Sequence, residues 1–118
     1  MITRESILNY VKSNYLTNPE KTFSKFPNYC VLRHNHNDKW YGLIMNVSKS
    51  KLGLKGTGDT DVIDLKIEPE LLGSFLGKEG YYPAYHMNKE NWITIDLNSN
   101  VSFKEVEEMI DNSYKMTY

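Results

Sequence analysis

Residues 29–47 read YCVLRHNHNDKWYGLIMNV, and this stretch decides the class of fold. Tyr29–His34 and Lys39–Val47 are rich in aromatic, β-branched and other apolar residues, while Asn35-His36-Asn37-Asp38 between them carries short polar side chains that favour turns. The pattern predicts an antiparallel hairpin. In its second strand Tyr41, Leu43, Met45 and Val47 alternate with Trp40, Gly42, Ile44 and Asn46, so the first set is expected to face the core.

Towards the N-terminus, Ile7, Leu8, Val11 and Tyr15 recur at helical spacing behind Thr3, a capping residue, with Ile2 and Ile7 placed as a hydrophobic staple. A helix over 3–15 is predicted, ending before Asn18-Pro19. Towards the C-terminus, the Lys- and Gly-rich stretch Ser48–Asp59 reads as a mobile loop. Asp61–Ile67 follows as a strand with Ile63, Leu65 and Ile67 on its apolar face and its acids on a solvated one. Pro69 opens a short helix that Gly77 ends. Tyr81–His86 is expected to be extended because Pro83 blocks a helix, and Trp92–Leu97 alternates as a strand. Ser102 with Glu105 as a capping box, and Val101 with Val106 as a staple, start a last helix buried along Phe103, Val106, Ile110 and Tyr114. The order predicts an α+β fold. One antiparallel sheet of four to five strands carries an N-terminal, a short middle and a C-terminal helix on one face.

The 118 residues suit one domain, 1–118, and 40% apolar with 25% charged residues is ordinary globular composition. No apolar run approaches the roughly 20 residues that cross a bilayer, and Cys30, the lone cysteine, has no internal disulfide partner. A cytoplasmic protein with no membrane contact, acting as a monomer, is the expectation. The net charge of −1 hides a division: residues 21–55 hold seven cations against Asp38 alone, whereas residues 56–118 hold five lysines against twelve acids. Such a basic block is either the footprint of a polyanion site or the partner of the acidic part of its own fold.

Two groups of residues carry candidate binding chemistry. The first is Arg33, Lys39, Lys49, Lys51 and Lys55 with Trp40, cations for phosphate and an indole that can stack on a base. For it to act as one site, these cations must gather on a common surface free of carboxylates. The second is Tyr85, His86, Asn88 and Lys89 with Trp92, a set able to recognise an anionic or planar ligand or another protein. The reading favoured for this second set is structural, with Asn88 and His86 fixing a turn while Tyr85 and Trp92 pack. Metal ligation by His34 with His36, or by Asp59, Asp61, Asp64 and Glu68, is not expected, because two histidines in a turn and acids along a strand make no four-ligand set. No cofactor is expected either. Gly53, Gly56 and Gly58 do not match phosphate-loop spacing, HExxH and GxSxG are absent, and Cys30 lies in an apolar strand where an inert thiol is the ordinary case. A binding protein without catalytic residues is the reading.

The run Tyr82-Pro83-Ala84-Tyr85-His86-Met87-Asn88-Lys89, followed by Trp92-Ile93-Thr94-Ile95, resembles the MmcQ/YjbR family. Trp40–Met45, Val62–Lys66 with Pro69-Glu70, and Ile110–Tyr114 resemble other segments of that family. The resemblance implies a compact α+β double-wing fold like that of bacterial frataxin. It also implies DNA binding, which joins the basic hairpin and loop as the leading expectation: nucleic acid bound with little sequence specificity. A module that binds a protein or small ligand through Tyr81–Trp92, with no nucleic acid, is the alternative.

Overall fold

In a computed structural model that describes residues 2–118, the predicted elements appear in the predicted order. They are α1 (Arg4–Tyr15), β1 (Cys30–Arg33), β2 (Trp40–Ser48), β3 (Asp59–Lys66), α2 (Leu72–Leu76), β4 (Tyr81–Pro83), β5 (Trp92–Asp96) and α3 (Phe103–Thr117). The strands form one antiparallel sheet in the order β1-β2-β3-β5-β4. α1 starts where Thr3 Oγ1 accepts from the Ser6 amide at 3.1 Å, and it ends on Leu16 in the left-handed region, φ 56°. α3 starts on Ser102, whose hydroxyl accepts from the Glu105 amide at 3.1 Å. The expected return bond of a capping box is replaced, because the Glu105 carboxylate instead accepts the Tyr81 hydroxyl and pairs with Lys78 at 3.5 Å. Pro69–Leu71 forms a 3-10 turn that runs directly into α2.

Both faces of the sheet are apolar. Ile44, Ile63, Leu65, Ile93 and Ile95 point to the side covered by α1, α2 and α3, where Ile7, Val11, Val106 and Ile110 complete the main core. On the opposite side Val31, Leu43, Met45, Val47 and Val62 form a second cluster with Tyr29. The expectation that Tyr41 shares a face with Leu43, Met45 and Val47 is therefore corrected, since Tyr41 belongs to the helix-side core. A β-bulge is the cause: Leu32 pairs with Gly42 but Arg33 pairs with Trp40, leaving Tyr41 as the extra residue. Its hydroxyl shares a 2.6 Å hydrogen bond with Thr17. Two further expectations change. Beyond Pro83 the chain leaves the sheet and His86 takes φ 70°, so Tyr81–His86 is extended only at its start. The Ser48–Asp59 stretch is pinned, with Lys49–Leu52 in a 3-10 turn and the Lys49 amide donating to the Gly58 carbonyl at 3.0 Å.

The approach to α3 depends on Gly80. It sits at φ 90°, and a Cβ there would lie 2.3 Å from Ser99 Oγ and 2.5 Å from Val101 Cγ2. Left-handed strain adds to overpacking at such a position. Gly80→Ala is expected to lower the unfolding free energy by about 2–4 kcal/mol, read by urea denaturation. A loss below roughly 0.5 kcal/mol, the range of an ordinary surface change, would contradict this packing.

Candidate functional site

The second face of the sheet has no helix over it, so irregular backbone has to cover it and must find its own hydrogen bonds. One cover is the segment 17–29. Glu20 bridges to Val31 through reciprocal backbone bonds of 3.1 and 2.8 Å, and the chain then turns twice, with the Phe26 amide donating to the Phe23 carbonyl at 3.1 Å and the Tyr29 amide to the Phe26 carbonyl at 3.0 Å. Those turns bring Phe26 over Tyr29, with ring centroids 4.7 Å apart. Phe23 meets Trp40 edge-on at 6.0 Å.

The other cover is 84–91. The Tyr85 amide donates to Thr94 Oγ1 at 2.9 Å, Lys89 Nζ donates to the Ala84 carbonyl at 2.8 Å, and Asn88 Oδ1 accepts the Glu90 amide at 2.7 Å. The left-handed backbone at His86 sets its ring 6.2 Å from Phe26 and 5.9 Å from Tyr29. Between the two covers lies a cavity of about 280 Å³. Phe23, Phe26 and Tyr29 line it from one side, Trp40 and Leu43 from β2, and His86 and Met87 from the other cover. A neighbouring hollow of about 240 Å³ has Lys51 and Leu52 on one side and Tyr82, Tyr85 and Lys89 on the other.

The two sequence-predicted sets therefore meet. Trp40 of the first shares a cavity with His86 of the second, and Lys51 shares one with Tyr85 and Lys89. The remaining members divide. Arg33 lies beneath this face with its guanidinium carbon 6.0 Å from the centre of the Trp40 ring. Its Nε comes within 3.2 Å of the half-exposed Glu20 carboxylate but off the N–H axis, an ion pair without a hydrogen bond. Lys39 stands before the first residue of β2, while Lys49, Lys51 and Lys55 follow its last. At about 3.3 Å per residue these ends are about 30 Å apart, so the basic side chains form two groups and not one compact patch. None of these four lysines joins an ion pair among the described residues. Asn88 bonds the turn backbone as the structural reading expected, Lys89 takes the part expected of His86, whose ring lines the cavity instead, and Trp92 is buried.

On the helix side, α3 carries Glu105, Glu107, Glu108 and Asp111. Asp111 accepts the hydroxyls of Tyr10, at 2.8 Å, and Tyr15. The cavity on that side, about 330 Å³ between α2 and α3, mixes Lys66 and Lys115 with Glu68 and contains Phe75 as its one aromatic ring. The histidines of the first hairpin are engaged with the C-terminal residues. His34 is buried with Nε2 2.7 Å from Thr117 Oγ1, and burial, then His36, holds its pKa below the ordinary value. His36 Nε2 lies 3.2 Å from the Tyr118 carbonyl oxygen. Among the described residues no three His, Cys, Asp or Glu side chains gather as metal ligands.

Several residues of this face were missed in the sequence. Phe23, Phe26 and Tyr29 recur every third position in an otherwise polar, turn-forming segment, and that excess of large rings was the available signal. Asp64 was assigned to a solvated strand face but is fully buried on the second face, paired across the sheet with Leu43 and Thr94. Thr94 donates its hydroxyl proton to Asp64 Oδ1, and Oδ2 has no partner. Burial pushes the Asp64 pKa from an ordinary 3.8 up to about 8, against the opposing pull of the Thr94 bond and of Lys89.

Between these two values the folded chain keeps a proton that the unfolded chain has released, so the Asp64 contribution to stability falls as pH rises from about 4 to about 8. Asp64→Asn is expected to be more stable than the parent at pH 8 and to lose less stability across that window, measured by denaturant titration at several pH values. Parallel stability profiles for the two proteins would contradict a protonated Asp64.

The YjbR family model matches residues 15–116. The chain is 45% identical to the Bacillus subtilis (strain 168) protein YyaQ over 117 residues, covering 99% of each. A Pseudomonas syringae protein, 46% identical, superposes with a TM-score of 0.97 in its crystal structure, over 99% of this chain and 100% of that one. Its solution structure gives 0.90, over 99% and 94%. Deinococcus radiodurans protein DR2400, of domain family DUF419, shares the fold at 19% identity, with a TM-score of 0.73 over 98% of this chain and 78% of its own. By its match to the family model and its identity to these relatives over nearly its whole length, the chain belongs to the YjbR family.

Proposed function

We propose that this chain is a binding protein for nucleic acid, with little sequence specificity, and that it uses the second face of the sheet. The observation that supports this most is the company of aromatic rings and lysines in the hollows of the second face. Aromatic rings line both hollows, and Lys51 and Lys89, outside every ion pair of the described residues, line one of them, whereas four carboxylates are carried by α3 on the helix side. Phosphate backbones are attracted to the first arrangement and repelled by the second. Lys49 and Lys51 sit on a turn whose Leu52 packs on the second cluster, and Lys55 lies in the loop that follows, closed by the Lys49 amide on the Gly58 carbonyl. They act as point charges, without the bidentate geometry that reads bases, which accords with low specificity. The middle of the Tyr81–Trp92 segment lines the two hollows of the same face, with Tyr82, Tyr85 and Lys89 in one and His86 and Met87 in the other, which favours reading it as part of this surface over a separate module.

Replacing Lys49, Lys51 and Lys55 together with alanine is expected to weaken DNA binding and flatten its dependence on log salt by about 0.7–0.9 for each phosphate that is no longer neutralised. Lys12 and Lys104, on the helices, serve as controls whose replacement leaves both unchanged. Fluorescence anisotropy of labelled oligonucleotides at low and moderate salt provides the measurement. Absence of binding by the parent at low salt would remove the proposal.

A further inference from the structure

The basic turn explains attraction to a polyanion, but it gives no role to the aromatic cavity about 280 Å³ in volume beside Trp40. We propose that this cavity receives one unpaired base of a single strand, so that the protein favours single-stranded over duplex nucleic acid; this rests on the nucleic-acid reading of the same face. The rings that form it come from three separately anchored pieces of chain, namely the turns at 23–29, the first residue of β2, and the left-handed corner at His86. The rings meet in pairs, Phe23 edge-on to Tyr29 and Trp40 and Phe26 stacked on Tyr29, and still leave a space between the two covers. Here Phe26 remains 44% exposed at the rim, although it stacks on Tyr29 within 17° of parallel.

The dimensions and the charge both favour a nucleotide. The volume is at the small end of ligand sites, and flat rings on several sides suit a planar heterocycle through its π-faces, which every base presents. Arg33, paired with Glu20, has its guanidinium carbon 6.0 Å from the centre of the Trp40 ring, and Lys21 and Lys25, both exposed and outside every ion pair of the described residues, lie two residues either side of Phe23 in the covering segment. Cations on the segments that supply the rings of an apolar cleft suit a base attached to a phosphate. Bases in a duplex are stacked and paired within the helix, so a concave, ring-lined cleft reaches one only after it has left the stack. A single strand provides such bases without that cost.

Trp40 supplies the probe. With Trp92→Phe in the background, Trp40 is the only tryptophan, and Trp92 is buried away from the cavity lining. The titrants are a short single-stranded DNA, the same strand annealed to its complement, and AMP. The expected result is a change in Trp40 emission on adding the single strand, with affinity at least about tenfold above the duplex. Phe26→Ala is expected to reduce single-strand affinity on the order of tenfold and duplex affinity by less, with circular dichroism checking that the variant is folded at the titration temperature. Equal binding of duplex and single strand, or anisotropy showing single-strand binding while Trp40 emission and the Phe26→Ala affinity stay the same, would overturn the cavity assignment and leave the basic turn as the binding element. AMP altering Trp40 emission without any oligonucleotide binding would overturn the strand assignment in favour of a free nucleotide. Failure of every oligonucleotide, duplex included, to bind at low salt would remove both readings.

Discussion

A sheet with two apolar faces has to be covered twice, and this chain has helices for only one of the coverings. α1, α2 and α3 all pack against the side that holds Ile44, Ile63, Leu65, Ile93 and Ile95. The opposite side, with Val31, Leu43, Met45 and Val62, is left to two stretches of irregular backbone. Because such backbone cannot satisfy itself as a helix does, it is tied down at a few points: Glu20 to Val31, Tyr85 to Thr94, and Lys89 to Ala84. Coverings anchored at points do not close over the whole face. The ring-lined cavity is the space left between them.

The same constraint accounts for Asp64. β3 places it on the second face between Leu43 and Thr94, where the covering segments exclude water and leave one carboxylate oxygen without a partner. A protonated acid tolerates that position better than a charged one. The Thr94 hydroxyl accepts the Tyr85 amide and donates to Asp64, so a single side chain joins the cover, the sheet and the buried acid. The bulge at Tyr41 meets a related demand on the other face. It turns a large aromatic residue towards the helices, where its hydroxyl finds Thr17.

Elements specified by local chemistry were legible in the sequence. Thr3 and Ser102 mark helix starts, Asn35–Asp38 the hairpin turn, and Pro69 the short helix, because each acts through neighbours a few residues away. The strands followed from their alternation, and with them the α+β class. What was not legible depended on pairing between distant segments. Tyr41 changes face because Arg33 pairs with Trp40, and Asp64 is buried on the face whose cover reaches it through Tyr85 and Thr94. The site itself was named in halves. Trp40 and His86 were both singled out, for different reasons, and only the fold shows that they line one cavity. Phe23 and Phe26 lie in a segment without helical or strand periodicity, so no pattern argument reached them.

If the face without helices is the one that binds, a bound strand perturbs that face alone. The most direct test is an amide-resolved NMR titration of the isotopically labelled protein with a short single-stranded oligonucleotide at low salt. Shift changes are expected to concentrate at residues 21–29, at Trp40, at Lys49–Lys55 and at Tyr85–Lys89, with α1 and α3 unaffected. Changes centred on α3 or on the cavity between α2 and α3, with the second face silent, would contradict it.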